Sequence, residues 1–126
     1  AYEIPLVLRD ANIDNAGNLV YNPTSSGFEG KIPLVNGTRD PKLSVDKAIY
    51  RFRILNGANA RVFRIALGNG APWVLIGNDG GLLPSSSQVS VIEFSPGERL
   101  DVLVDFRTAT GSIMLRDLNT GWNLLE

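Results

Sequence analysis

The sequence predicts an all-β fold, an antiparallel sandwich or barrel of short strands. Apolar and polar residues alternate at period two in several segments, which gives each strand one buried face and one wet face. Clusters of Gly, Pro, Asn and Ser separate these segments at intervals of about 8–12 residues. No long stretch keeps the roughly 3.6-residue period of an amphipathic helix.

The strands are assigned from apolar runs and alternation, and the turns from their own residue chemistry. Asp14–Asn18 is predicted to be a turn, Asn22–Gly27 a polar loop, and Asn36-Gly37 a two-residue hairpin turn. The predicted strands are Glu3–Arg9, Leu19–Tyr21, Lys31–Val35, Tyr50–Ile54, Arg61–Leu67, Trp73–Ile76, Gln88–Phe94, Leu100–Phe106 and Ile113–Leu115.

Alternation also predicts which side chains face the core. In the fourth strand Phe52 and Ile54 are expected inside, with Arg51 and Arg53 facing out. Trp73 lies in an apolar run and is expected in the core.

One pair of acidic residues lies on the same side of a strand, as two carboxylates in acid–base catalysis would need to. Asp101 and Asp105 face the same side of one strand, with backbones about 13 Å apart, which is wide for two carboxylates that share a reaction. Because Arg99 and Arg107 flank them, surface ion pairs are the favoured interpretation.

Length and charge restrict the class of protein. A chain of 126 residues fits a single domain, residues 1–126, that can bury its own core. The 12 basic and 13 acidic residues are interspersed and give a net charge of −1, so neither a nucleic-acid groove nor a membrane surface patch is expected. No apolar run approaches the roughly 20 residues that span a bilayer.

The chain contains no histidine and no cysteine, and this excludes the usual metal sites. A blue-copper site needs two imidazoles and a thiolate, and zinc sites also use His or Cys. Met114 alone is expected to fill space in the core. Asp10–Asp14 resembles part of a calcium loop but lacks the downstream glutamate, so it is interpreted as strand-end and turn chemistry.

The remaining motifs also favour structural interpretations. Ser85–Ser87 is predicted to be a loop without a base to activate a hydroxyl. Gly77–Gly81 lacks the spacing of a phosphate loop and predicts a tight turn with positive φ at Gly80 or Gly81. Asn36–Thr38 matches a glycosylation acceptor, and a bare turn explains it equally well.

Four arginines, Arg51, Arg53, Arg61 and Arg64, are predicted to form a stripe on the solvated or docking face of a sheet. No exposed aromatic residues are interleaved with them to stack nucleic-acid bases.

Three segments together carry a family resemblance: Tyr50–Asn56, Ile76–Pro84 and Ser95–Phe106. Ile4–Asp10 and Leu34–Gly37 support it in the right order. In this order the segments resemble the second cupredoxin domain of multicopper oxidases, in the branch of bacterial laccases, bilirubin oxidases and phenoxazinone synthases.

The resemblance implies a cupredoxin-like Greek-key β-sandwich that serves as the middle of three domains. In this family the first and third domains hold the copper, and the whole enzyme oxidises phenols, aromatic amines or metal ions while reducing dioxygen to water. The middle domain usually holds no copper. Since no His-x-His or His-Cys-His motif occurs here, no catalytic, cofactor-binding or metal residue is carried over, and copper is expected only in the parent enzyme.

The implied partners are flanking cupredoxin domains of the parent chain, and the implied location is extracytoplasmic. Weak self-association is expected of the chain alone. Two alternatives stay open: a stand-alone β-sandwich binding module, for which Trp73 and Trp122 are the candidate aromatic platform, and a domain of an oxidase-derived protein that has lost copper throughout.

Overall fold

The computed structural model describes residues 2–126, and in this part of the chain every regular element is a β-strand. The strands are β1 (Glu3–Ile13), β2 (Leu19–Val20), β3 (Ile32–Val35), β4 (Ile49–Asn56), β5 (Phe63–Leu67), β6 (Trp73–Asn78), β7 (Gly81–Val89), β8 (Ile92–Phe94), β9 (Arg99–Asp105), β10 (Leu115–Asp117) and β11 (Asn123–Leu125). The predicted all-β fold class is confirmed.

The strands form two sheets. The larger has seven strands in the order β2-β1-β4-β9-β6-β7, with β3 paired to β1. The smaller has four strands in the order β11-β10-β5-β8. Buried apolar side chains from both sheets form one shared core, in which Phe63, Ile65 and Val102 have no exposed surface.

The sequence predicted antiparallel sheets, but one pair of neighbouring strands in the larger sheet is parallel. β1 and β4 pair in parallel, with Glu3 opposite Arg51 and Leu8 opposite Asn56. Parallel neighbours need a long connection, because the chain must return to the starting end before the second strand begins. Residues 14–48, which include β2 and β3, provide that return.

The predicted faces of the central strands are confirmed. Phe52 and Ile54 are 5% and 1% exposed, whereas Arg53 is exposed and Arg51 half-buried. Trp73 is 2% exposed and belongs to the core.

The predicted hairpin turn at Asn36-Gly37 is also confirmed. Both residues have positive φ, 50° and 76°, as a two-residue turn of this hand requires. The backbones of Val35 and Thr38 exchange two hydrogen bonds across it. The Asn36 side chain bridges to β1, because its Oδ1 accepts from Val7 N and its Nδ2 donates to Pro5 O.

The prediction for residues 81–94 was wrong in two respects. Ser85–Ser87 is not a loop but the middle of β7, the exposed edge strand of the larger sheet. Gln88–Phe94 is not one strand: β7 ends at Val89, and β8 begins at Ile92 in the smaller sheet. The break between them shifts the alternation, so that Ile92 and Phe94 are buried.

The last predicted strand, Ile113–Leu115, is displaced. The observed strand is Leu115–Asp117, and β11 follows it as a strand that the sequence did not predict. Met114 lies before β10, half-buried, and its carbonyl accepts from Gly68 N. The sheet here is short and irregular, with a register shift between Leu115 and Arg116.

The turn between β6 and β7 confirms the glycine prediction at Gly81, whose φ is 109°. A Cβ at Gly81 would meet no atom within 4 Å, so the demand on this position is conformational and not steric crowding. We expect Gly81→Val to lower the free energy of unfolding by about 1–3 kcal/mol. Gly80→Val, at ordinary φ one residue earlier, is the control in urea melts, and equal losses would contradict this explanation.

Candidate functional site

The donor atoms of the chain do not fit copper. The sequence has neither histidine nor cysteine, so no imidazole or thiolate is available. Among residues 2–126, no three His, Cys, Asp or Glu side chains are grouped closely enough to hold a metal ion. The chemistry of this chain must therefore be sought in its buried polar groups and its surfaces.

The most distinctive polar feature is a buried ion pair between β1 and the loop that precedes β5. Asp10 Oδ2 lies 2.8 Å from Arg61 Nε and also accepts a 2.6 Å hydrogen bond from Gly30 N. Arg61 Nη2 donates to Gly30 O at 2.8 Å. The centroid of the Trp122 ring lies 4.7 Å from the guanidinium carbon of Arg61, and the ring covers one face of the guanidinium. These contacts tie four separate segments of the chain together.

This arrangement corrects two predictions. Asp10 was interpreted as strand-end chemistry, yet its side chain is completely buried inside β1. Arg61 was placed in a solvated arginine stripe, yet only 14% of its side chain is exposed. Alternation could not reveal the pair, because the two residues are 51 positions apart in sequence.

Two further buried polar residues stabilise loops. Asn56 Nδ2 donates to the carbonyls of Arg61 and Phe94, and its Oδ1 accepts from Ala58 N. Each available hydrogen bond is made to backbone, so the side chain acts as a fixed junction between the two sheets.

Asp117 acts in the same way at the end of β10. Its carboxylate accepts from the backbone N–H of Arg64, at 2.8 Å, and from the backbone N–H and hydroxyl of Thr120. Its side chain has no exposed surface. All of these partners are donors within the protein, so the Asp117 carboxylate holds the turn after β10 against β5.

On the outer face of the larger sheet, Arg51 holds Asp101 by two parallel hydrogen bonds of 2.8 and 2.5 Å. Glu3 joins this cluster through Arg51 and Arg53. The prediction that Arg99 pairs with Asp101 or Asp105 was wrong, because Arg99 reaches Asp79 instead, at 3.5 Å.

The predicted pairing of Asp105 with Arg107 is confirmed, with Nη2 and Oδ2 2.7 Å apart. Side-chain and backbone hydrogen bonds from Arg107 lower the pKa of Asp105 from 3.8 to about 2. A lowered folded-state pKa means that this contribution to stability is complete above pH 3.8 and is lost as the pH falls through about 2.

Removing the Arg107 guanidinium should reverse most of the lowering of the Asp105 pKa. We expect Arg107→Ala to raise the pKa of Asp105 towards its ordinary value, measured by NMR titration of the carboxyl carbon. Arg99→Ala is the matched control and should leave the titration unchanged. If both variants shifted the pKa of Asp105 equally, a specific Arg107 contact would not be its cause.

Exposed apolar side chains lie at the two ends of β1. We call the first group, Ile13, Leu19, Val20 and Tyr21, the β2 end; Leu19 and Tyr21 are each 68% exposed. The second group, Tyr2 and Ile49, is called the β4 end, and its members are 49% and 42% exposed. Strand β1 has eleven residues and separates the two groups by about 33 Å.

The tryptophans do not form an exposed platform. Trp73 is buried in the core, and Trp122 is half-buried against Arg61. Within the described residues, no helix combines the length and hydropathy that crossing a bilayer would take.

Comparison with known proteins gives consistent relatives, although no family model matches the sequence. The chain is 42% identical over 104 residues to the cell division protein FtsP of Photorhabdus laumondii, covering 82% of this chain and 22% of that protein. It is 36% identical over 127 residues to a laccase of Bacillus subtilis, covering 90% of this chain and 25% of the laccase. The chain thus spans about a quarter of the length of these relatives.

Solved structures agree. The multicopper oxidase McoA of Aquifex aeolicus superposes with a TM-score of 0.86 at 47% identity, over 92% of this chain and 26% of that one. A laccase of Pediococcus acidilactici superposes with a TM-score of 0.89 at 35% identity, over 98% of this chain and 27% of that one. The predicted cupredoxin-like fold is confirmed, and the chain is a cupredoxin domain that belongs to the multicopper oxidase family.

Proposed function

We propose that this chain is a copper-free spacer, the middle of three cupredoxin domains in a multicopper oxidase. The observation that carries the proposal is the donor set: a cupredoxin fold is present without one histidine or cysteine to use it for copper. The span of about a quarter of the relatives' length supports the presence of further domains in the parent protein. The residues that bind copper and react would then lie outside residues 1–126.

Such a spacer needs a rigid body and two docking surfaces. Rigidity is supported by the central β1-β4-β9 pairing and by the buried Asp10–Arg61 pair, which fix the sheet and its loops. The β2 end and the β4 end provide apolar surface at opposite ends of one strand. A donor set divided between two outer domains keeps its geometry only if the part between them does not bend. The resemblance to multicopper oxidases is also the basis on which we propose an extracytoplasmic location for the domain.

A second candidate function has its own observation. The relative that is 42% identical over 104 residues is called a cell division protein, so this domain could belong to an oxidase-like protein with a structural role in division. Copper analysis of the complete gene product distinguishes the two. Stoichiometric bound copper supports the oxidase, whereas its absence after refolding with copper supports the second candidate.

The alternative of a stand-alone binding module makes a different prediction for the chain alone. A spacer that is cut from its neighbours exposes apolar docking surface, and a near-zero net charge gives little repulsion. We expect the chain to fold as a monomer and to self-associate weakly as concentration rises, with little dependence on salt, in sedimentation equilibrium. A strict monomer up to millimolar concentration would favour the binding module.

Lysine substitutions test which surface drives self-association. We expect the double variant Leu19→Lys, Tyr21→Lys to weaken self-association at least about tenfold, because it places two charges within the β2 end. Leu82→Lys is the control, since Leu82 is 73% exposed but lies on the edge strand β7, away from both ends of β1. Equal weakening by the control would contradict docking through the β2 end.

A further inference from the structure

The segment 42–47 runs along the open side of a pocket at one end of the two sheets. The pocket has a volume of about 430 Å³, and apolar side chains of both sheets line its inner wall, among them Phe52, Val104 and Leu115. Its opening is bordered by exposed polar and charged side chains of the segment. In sites where an extended chain is added to a sheet, backbone hydrogen bonds hold the chain and pockets beside it receive alternate side chains.

The backbone of this segment is already paired with one residue. Leu43 N donates to Glu126 O at 2.7 Å, and Glu126 N donates to Pro41 O at 3.2 Å. This is the hydrogen-bond pattern of a parallel ladder, with Glu126 opposite Lys42. Glu126 directly follows β11, the edge strand of the smaller sheet. The pair therefore defines both a direction and a register for further pairing.

The next two backbone groups of this ladder are unpaired. In a parallel ladder every second residue turns its N–H and C=O to the same neighbour, so the groups that follow the Glu126 pair are Leu43 O and Val45 N. Neither group has a backbone partner among the described residues. Val45 is 37% exposed. Unpaired N–H and C=O groups on an exposed edge are a template for the addition of a strand.

The register indicates which chain would occupy this edge. Polypeptide that continued from Glu126 in the same direction would place its second residue opposite Ser44, between Leu43 O and Val45 N and beside the pocket. A segment joined covalently at this point has a high effective concentration, so its pairing costs little entropy. Relatives about four times as long as this chain contain polypeptide beyond the matched region.

We propose that residues 43–47 form a docking strand for the parent polypeptide that follows Glu126, which pairs with them in parallel and places an apolar side chain in the pocket. The inference rests on the proposed function, under which the parent protein includes a further domain after this one. It adds how the two are joined. A connection held as a strand positions the next domain more closely than a flexible linker does.

Hydrogen exchange at Val45 tests the pairing. The complete gene product and the chain of residues 1–126 are compared by millisecond exchange, read residue by residue by mass spectrometry. We expect the Val45 amide to exchange at least about tenfold more slowly in the complete gene product, because its N–H gains a backbone acceptor. Ser44 is the internal control, since in a strand its N–H points to the opposite side and should exchange equally in both proteins.

Two variants of the complete gene product test the use of the pocket. Ala109 lines the pocket, so Ala109→Phe fills part of its space and should restore fast exchange at Val45. Thr108→Phe adds a ring at an exposed neighbour that does not line the pocket, and should leave Val45 protected. Equal exchange at Val45 in the two variants would show that the added segment does not enter the pocket, which would overturn the proposal.

The wild-type comparison decides the proposal even if a variant fails to fold. Fast exchange at Val45 in a complete gene product that binds copper would overturn the docking and leave the spacer role standing. Equal slowing at Ser44 and Val45 would mean that a neighbouring domain only covers the segment, and would also overturn the docking. A gene product without polypeptide after Glu126 would remove the spacer role and the docking together.

Discussion

Replacing Asp10 by alanine is expected to lower the free energy of unfolding by about 3–5 kcal/mol. The carboxylate is completely buried and is the closest anionic partner of Arg61, whose side chain is only 14% exposed. Without it a guanidinium stays in a low-dielectric site with no adequate counter-charge, and Gly30 N loses its acceptor. The measurement is a urea melt of each variant, with the slope checked for constancy so that the midpoint reports stability.

The surroundings of Arg61 provide a matched control. Glu29 also lies near this guanidinium, at 3.7 Å, but its side chain is 58% exposed. Glu29→Ala should therefore cost about 0–1 kcal/mol, as solvent-exposed ion pairs do. Similar losses for Asp10→Ala and Glu29→Ala would show that the buried pair has no special role.

A double replacement tests whether the loss comes from the unpaired charge. In the combined variant Asp10→Leu, Arg61→Met, both charges are removed and apolar surface of similar size takes their place. Buried pairs replaced in this way often cost little, so we expect this double variant to be more stable than Asp10→Ala. A double variant that is less stable than Asp10→Ala would mean that the hydrogen bonds to Gly30 dominate.

Local patterns were enough to predict the strands whose alternation is strict. β4 and β9 are regular strands with one face on the core and the other toward solvent, so each second residue must be apolar, and the sequence shows this directly. The Asn36-Gly37 turn was equally predictable, because few other residue pairs adopt its backbone angles. These features depend on neighbours within a few positions along the chain.

The features that were missed depend on distant partners or on exposure. The parallel pairing of β1 with β4 is decided by packing of the whole sheet, and nothing in either segment specifies it. Ser85–Ser87 forms a strand because β6 provides the pairing, and an exposed edge strand has no need of an apolar face. Arg61 was misplaced because its partner, Asp10, lies in another strand.

The proposed spacer role rests on the residue types of this chain more than on the geometry of any one site. The chain has neither the imidazole nor the thiolate that a blue-copper site uses, and its buried polar residues make structural contacts. Those residues, Asp10, Asn56 and Asp117, hold loops and sheets in place. These three residues tie loops to sheets, and a domain fixed in this way is suited to the spacer role proposed for it.

Phe52→Ala is expected to lower the free energy of unfolding by about 3–5 kcal/mol. Phe52 is 5% exposed and packs between two other rings, with centroids 6.1 Å from Tyr50 and 6.3 Å from Phe106. Truncation removes the ring from both contacts and leaves an empty space in the core, and β4, which is paired with β1 on one side and β9 on the other, cannot move inward to fill it.

The adjacent residue gives the control for Phe52. Arg53 faces solvent, and its ion pair with Glu3, at 2.9 Å, joins side chains that are 57% and 41% exposed. Arg53→Ala should therefore cost less than about 1 kcal/mol in the same urea melts. The two substitutions are one position apart in one strand, so their strand context is the same while the burial of the two side chains differs. Comparable losses would mean that the sheet does not divide core from solvent at this strand, and the assignment of faces in β4 would then be in error.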